Sequence, residues 1–247
     1  MNQRQTERDA ALETARVLIV GIGALGCPAA RSLGAAGVGT LVLLDPDRVE
    51  VSNLHRQPLY GTAAIGRPKV EAAAATLRRE FPDLRVEAHA ERLDEHNLPG
   101  HFTRADFVID ATDGATAKFL INDGAVRCGT PFSHAGIIGF LGQTLTVRPG
   151  LTTCYRCLFP EPPSEAEMVS CRDAGVVGPL AGIIGTIQAG EAIKHLTGRG
   201  EPLTDLLLTI DAHTGRWRRV RLARNPRCPV CAAPARDRRL DAAGGAR

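Results

Sequence analysis

Aromatic residues are scarce in this 247-residue chain, 4% in all with one Trp and two Tyr. Surfaces that stack bases need aromatic faces, so no nucleic-acid partner is expected. Charge of one sign is also missing: the formal net charge is +3, which excludes a strongly polyanionic partner. Lysine is nearly absent, with only Lys69, Lys118 and Lys194 among 30 cations. No secretory signal opens the sequence MNQRQTERDAALETA, so the cytoplasm is the expected compartment. The one stretch that raises a membrane span, 174–193, holds Pro179, Gln188, Glu191 and five glycines. A buried small-residue helix accounts for it better, and no membrane partner is expected.

What remains is an ordinary globular composition, 44% hydrophobic and 23% charged. Continuous apolar runs at Arg16–Val20, Thr40–Leu44 and Asp106–Ile109 read as buried parallel strands. Helical patterns fall between them, running from the glycine turn to Ala36, from Pro68 to Glu80 and from Gly114 to Arg127. A weak strand is expected at Leu84–Ala88, and two further strands at Pro131–Gly136 and Phe140–Val147. The fold class is therefore α/β, a Rossmann-like doubly wound sheet, mainly parallel. The carboxyl-terminal part adds a small-residue helix, Val176–Leu196, and an antiparallel hairpin, Leu203–Ile210 with Trp217–Leu222. We divide the chain into an amino-terminal helix or arm (1–15), a nucleotide-binding part (16–150), a crossover, helix, hairpin and cysteine knuckle in the same domain (151–231), and a disordered tail (232–247).

Gly21-Ile22-Gly23-Ala24-Leu25-Gly26 is G-x-G-x-x-G between a strand and a helix. Glycines let backbone N–H groups approach a phosphate, and a helix N-terminus favours anions. Asp45, 19 residues past the last glycine, ends the next strand, where a carboxylate can accept ribose hydroxyls. The turn alone does not choose between NAD and ATP. Arg56 and Lys69 favour a triphosphate. Lys69 sits at a helix N-terminus, where a cation costs about 0.3–1 kcal/mol, which suggests a bound anion or else a solvated surface lysine. Arg56 could equally sit in a surface salt bridge. Asp110 and Asp113 flank the end of the third strand. A carboxylate there suits Mg²⁺, while Asp113 could instead cap the following helix.

Seven cysteines in such a chain point to metal or thiol chemistry rather than disulfides. Cys154-x-x-Cys157 and Cys228-x-x-Cys231 supply four thiolates, the donor set of a closed, structural Zn²⁺ site. Ligand type alone leaves an iron–sulfur cluster possible in principle. Cys27 and Cys128 read as core fillers. Cys171, beside Arg172 in the polar crossover, is either a reactive thiol or an idle one. His55, His134, His195 and His213 show no spacing that builds a metal site or a triad.

In order along the chain, VLIVGIGALGC, LLDPDRVEVSNLHRQ, GRPK, DATD, CYRCLFP, SCRDAGVVGPL and NPRCPVC resemble the ThiF/MoeB/HesA family of ubiquitin-activating-enzyme-like adenylyltransferases, over about residues 16–231. The resemblance implies adenylation, by ATP, of the C-terminal glycine of a small ubiquitin-like sulfur carrier ending in Gly-Gly, for thiamine or molybdenum-cofactor biosynthesis. It implies a homodimer with a four-Cys zinc. By motif, Gly21, Gly23 and Gly26 would form the nucleotide turn, Asp45 would hold the ribose, and Asn53, Arg56 and Lys69 would contact the triphosphate. Asp113 would hold Mg²⁺; Cys154, Cys157, Cys228 and Cys231 would hold zinc; Cys171 would form a covalent link with the carrier. Arg4, or alternatively Arg8, would reach the partner subunit's ATP. Gly114 and Lys118 depart from the family's usual Asn and Arg. With no sulfur-transfer domain after the second knuckle, a separate sulfur donor is implied. Two other readings stay open at this point: an NAD-dependent oxidoreductase, and a non-catalytic zinc-stapled scaffold for a ubiquitin-like protein.

Overall fold

The computed structural model describes residues 9–163 and 175–232. Eight strands form one sheet in the order β3-β2-β1-β4-β5-β6-β7-β8. The parallel part comprises β1 (Arg16–Val20), β2 (Thr40–Leu44), β3 (Arg85–His89), β4 (Phe107–Asp110) and β5 (Phe132–Ile138). Antiparallel strands β6 (Leu141–Val147), β7 (Leu206–Asp211) and β8 (Arg216–Arg221) extend it. The helices are α1 (Ala10–Glu13), α2 (Gly26–Ala36), α3 (Lys69–Glu80), α4 (Leu98–Phe102), α5 (Ala115–Cys128), α6 (Tyr155–Leu158) and α7 (Gly178–Thr197).

The central strands show no polar alternation because both faces are covered. On one face, Val17, Ile19, Leu41, Leu43, Phe107 and Ile109 pack with residues of α2, α3 and α7. On the other, Leu18, Val20, Val42, Leu44 and Val108 pack with residues of α4, α5 and the cysteine knuckles. Each fully buried Leu or Ile of this kind contributes about 1.5–3 kcal/mol. β8, with sequence RWRRVR, is exposed throughout. Its arginines blunt the sheet edge against pairing with another strand.

The small-residue helix lies inside the body. A Cβ on Gly185 of α7 would stand 2.3 Å from the Leu25 carbonyl oxygen, so only glycine lets α7 approach the start of α2. Among the described residues no helix is long and apolar enough to cross a membrane. Two helices are not legible in the sequence. α4 is LPGHF, whose Pro and Gly read as loop; burial of Leu98 and Phe102 holds it helical. α6 is the single turn inside the first cysteine knuckle. β7 starts three residues later than expected, because the Leu203 N–H donates to the Glu191 carboxylate instead of joining the ladder. The expected amino-terminal helix is described only as α1, capped by Asp9. Arg4, Arg8, Cys171 and the tail beyond residue 232 lie outside the described residues.

Candidate active site and metal centre

β1 and β4 are neighbours, with Val20 level with Asp110. From β1 the chain winds to one side of the sheet; β4 resumes on the other. Doubly wound sheets bind ligands at this switch point, beyond the carboxyl ends of the strands. The glycine turn lies here. Gly21 has φ 89°, and a Cβ on it would stand 2.7 Å from the Ala111 carbonyl oxygen. A Cβ on Gly26 would stand 2.0 Å from the Gly21 carbonyl oxygen. The first and third glycines therefore close the turn. Gly23 instead faces the Gln57 amide nitrogen at 3.8 Å, with room for a ligand. No side chain caps α2; Cys27 donates its N–H to the Gly23 carbonyl and Pro28 has none, which leaves the Gly26 N–H and the positive helix end for an anion.

Asp45 is buried at the end of β2. Its Oδ2 accepts the Ile22 N–H and its Oδ1 the Asp47 N–H, each at 2.8 Å. Burial pushes its carboxyl up, opposed by Lys69 and these two N–H groups. Asp45 thus ties the turn to β2, and each oxygen keeps a lone pair for a hydroxyl. Tyr60 supports the turn from below, its hydroxyl donating to the Ile22 carbonyl at 2.7 Å.

Lys69 is buried, not solvated. Its Nζ lies 2.8 Å from the Asp47 carboxylate, and its N–H donates to the Asp47 carbonyl at 2.9 Å. Asp47 therefore offsets the cation at the α3 N-terminus, and that feature does not of itself require a bound anion. Arg56 donates to the Ser52 carbonyl at 2.6 Å and packs against Gly178 at the start of α7. Among the described residues it has no carboxylate partner, contrary to the salt-bridge alternative. Asn53 is buried in a capping box, its Oδ1 accepting the Glu50 N–H at 3.3 Å.

Gln57 closes the segment LLDPDRVEVSNLHRQ, and its letter alone assigns it no role. It is buried and one turn beyond Asn53, and its Oε1 has no hydrogen-bond partner among the described residues. Its amide nitrogen lies toward Gly23, so the side chain borders the glycine turn with an acceptor to spare. Its sequence signal is the four-residue offset from Asn53, which places both on one side of a turn.

The two aspartates after β4 separate cleanly. Gly114, not Asp113, is the N-cap of α5, with no side-chain cap bond. The exposed Asp113 carboxylate has no hydrogen bond or ion pair among the described residues, so the capping alternative fails and a cation ligand is left available. A Cβ on Gly114 would meet nothing within 4 Å; nothing in the structure explains glycine there.

Asp110 is fully buried and committed. It accepts from His134 Nδ1 at 2.9 Å and the Thr112 hydroxyl at 2.7 Å, with Lys118 Nζ at 3.5 Å. Lys118 also donates to the Thr112 and Ala135 carbonyls. Burial opposes the Asp110 charge, but Lys118 and His134 outweigh it and hold the carboxyl at about 2. Burial, aided by Lys118, holds the His134 imidazole below its ordinary value, hence neutral. The unfolded chain takes up that proton near pH 6.5 and the native state resists it, so stability should fall as pH drops below about 6.5. The Asp110 contribution is complete above about 3.8 and is lost as pH falls toward 2. Thermal melts between pH 8 and 5 should show a shallower decline in His134→Asn than in the wild type. His195, also held down by burial, supplies the remaining slope. Equal slopes would remove His134 from the account.

The four cysteines of the paired knuckles converge, with their sulfur atoms within 4.8 Å of one another. Cys154 lies 3.9 Å from Cys157 and 3.6 Å from Cys228, and Cys157 lies 3.4 Å from Cys231. Zinc–sulfur bonds of about 2.3 Å place tetrahedral sulfurs about 3.8 Å apart, so the donor set fits zinc. The Asn225 N–H points at Cys157 Sγ at 3.4 Å, an outer contact that suits a thiolate. Burial, reinforced by Cys157 and Cys231, pushes the Cys154 thiol up; a bound dication would reverse that. Cys27 is buried and its thiol pushed up to about 12, so it is a core filler.

Taken together, the turn, the switch point and the paired knuckles define an α/β nucleotide-binding protein with a four-thiolate centre. The ThiF family model matches residues 2–230, and the chain belongs to the ThiF family. A sulfur carrier protein adenylyltransferase of Thermus thermophilus is 43% identical over 234 residues, covering 93% of this chain and 86% of that protein. The sulfur carrier protein ThiS adenylyltransferase of Escherichia coli is 44% identical over 217 residues, covering 87% and 85%. Among solved structures, E. coli MccB with ATP superposes with a TM-score of 0.80 at 24% identity, over 90% of this chain and 68% of that one. The last likeness concerns the fold.

Proposed function

We propose that this chain adenylates the C-terminal glycine of a ubiquitin-like sulfur carrier with ATP, in thiamine or molybdenum-cofactor biosynthesis. The observation that carries the reading is the Asp113 carboxylate, unpartnered among the described residues, at the same switch point as an uncapped glycine turn. Identity of 43–44% to two sulfur-carrier adenylyltransferases over most of both lengths supports the substrate class.

The carrier's terminal carboxylate attacks the α-phosphorus of ATP. The new O–P bond forms as the bond to the β-phosphate oxygen breaks, giving an acyl-adenylate and pyrophosphate. A carboxylate at neutral pH needs no general base, so the chain acts by positioning and charge neutralisation. The turn of Gly21, Gly23 and Gly26 holds the phosphates, Gly23 and Gly26 presenting backbone N–H groups while the Gly21 N–H anchors the turn on the Leu44 carbonyl, and Asp45 holds the ribose. Asn53, Arg56 and Lys69 face the triphosphate, and the two cations offset charge on the departing pyrophosphate. Asp113 would hold Mg²⁺, which when bound neutralises phosphate oxygens. The four thiolates would hold a structural zinc outside the reaction. Cys171 acts after adenylation: its sulfur attacks the acyl-adenylate carbonyl, the carrier is linked as a thioester as the C–O bond to AMP breaks and AMP leaves, the thiol proton passes to solvent, and a separate protein donates sulfur.

A homodimer in the cytoplasm completes the reading, with Arg4 or Arg8 reaching the partner's nucleotide. Exposed Ile138 and Leu141, paired across β5 and β6, with Phe140 in the turn between them, supply apolar surface for a partner subunit.

The test is ATP–pyrophosphate exchange by the purified chain with thiamine-type and molybdopterin-type carriers ending in Gly-Gly. Carrier-dependent exchange is expected, and the better carrier identifies the pathway. Carrier binding without exchange, from folded zinc-loaded protein, would instead establish the scaffold reading.

A further inference from the structure

We infer that His89, Glu91 and His101 form a second metal site, for a divalent late transition-metal ion, at the outer edge of the sheet. β3 is the edge strand. Its side chains alternate, so Glu87 and His89 project on the face opposite Val86, which is buried with the α3 core. His101, in the last turn of α4, comes down onto that face. Glu91 lies just beyond β3.

One donor atom from each of the three residues lies within 4.8 Å of the others. His101 Nε2 is 3.0 Å from Glu91 Oε1, and His89 Nδ1 is 3.9 Å from the same oxygen. The two imidazoles meet edge to face, with centroids 5.0 Å apart. Metal–ligand bonds of about 2.0–2.1 Å require tetrahedral donors about 3.4 Å apart, and the two observed distances straddle that value. Two imidazoles and one carboxylate suit zinc, cobalt or nickel, and three protein ligands leave a position open.

The surroundings fit an ion that exchanges with solvent. The three side chains are 14–46% exposed, and His89 and His101 border a cleft of about 330 Å³. His96 and Asn97 line that cleft and can supply a fourth imidazole or hold a water. Glu87 is already neutralised by Arg16, its two oxygens meeting the guanidinium at 2.5 and 2.6 Å. Glu91 is therefore the carboxylate left for an ion. Arg104 also borders the cleft, so affinity should fall below that of the four thiolates. Three of the chain's seven histidines fall within 89–101. Their spacing is irregular because they lie on a strand, a loop and a short helix, and no sequence pattern exposes the site. The inference does not depend on the proposed adenylation.

Full-length protein with its cysteine centre zinc-loaded is titrated with Co²⁺, and bound metal is counted alongside the visible spectrum. One equivalent beyond the zinc is expected, with ligand-field bands and no thiolate-to-cobalt charge-transfer band. The double variant His89→Asn, His101→Asn should lose that equivalent. Glu91→Gln, a change at a half-exposed loop, should weaken it at least tenfold. A wild type that takes up no further cobalt, or takes it only with thiolate charge transfer, overturns the site. So does an equivalent that survives unchanged in either variant.

Discussion

Lys69→Ala should lower carrier-dependent pyrophosphate exchange by about 10²–10³ in kcat, the usual cost of removing one preorganised charge from a developing anion. The melting temperature should hardly move. Lys69 Nζ bonds an Asp47 carboxylate that is 60% exposed, so the orphaned acid returns to water. An ion pair with so exposed a partner contributes about 1 kcal/mol at most. The contrast between kinetic and thermal effects separates two roles for the same bond. If Lys69 only anchored α3 to Asp47, the variant would lose stability and keep its kcat. If it leaves Asp47 for phosphate, kcat collapses in a folded protein. KM for ATP discriminates further: a charge used equally in ground and transition states would raise KM and spare kcat. Retained kcat with an unchanged KM for ATP would remove Lys69 from the site.

Much of this arrangement is legible in the sequence, for a physical reason. Strands buried on both faces must be continuous apolar runs, so Arg16–Val20 and Thr40–Leu44 declare themselves and fix where the turn and Asp45 stand. The cysteine knuckles are legible because thiolate chemistry leaves few alternatives. The exceptions depend on contacts between distant residues. Asp110 and Asp113 look equivalent as letters, yet His134, 24 residues on, claims one and leaves the other free. Asp47 lies within LLDPDRVEVSNLHRQ, but only the fold brings it to Lys69. His134 has no sequence neighbour that assigns it a role; the fold supplies Asp110 at its Nδ1 and Tyr155, whose ring is tilted against the imidazole with centroids 4.3 Å apart. Helix α4 escaped because burial overrides the poor propensity of its Pro and Gly.

Loss of the proposed zinc, by chelation or by Cys228→Ser, should cost several kcal/mol and split the thermal transition in two. Structural zinc is worth about 10–16 kcal/mol in small peptides that have no other core. Here the cost is smaller because the knuckles have other anchors. The Tyr155 N–H donates to Asn122 at 2.8 Å. Arg156 pairs with Asp123 at 2.7 Å and lies 4.8 Å over the Phe119 ring. These contacts hold the first knuckle on α5 without metal. The second knuckle has less: Arg224 donates to the Gly150 carbonyl at 3.0 Å and to the Cys231 carbonyl. Cys228 and Cys231 are nonetheless buried in the core beneath α5, so their release opens apolar surface there. The segment around 224–232 should therefore detach first, at lower temperature, while the core shared by α2, α3 and α7 melts later. That core contains none of the four cysteines. Calorimetry with a parallel zinc-release assay reads both steps. A single transition, with zinc leaving as the whole sheet melts, would show that the knuckles and the nucleotide-binding body form one cooperative unit. In that case the zinc would stabilise Asp113 and the turn directly, through α5, rather than only securing the carboxyl-terminal segment.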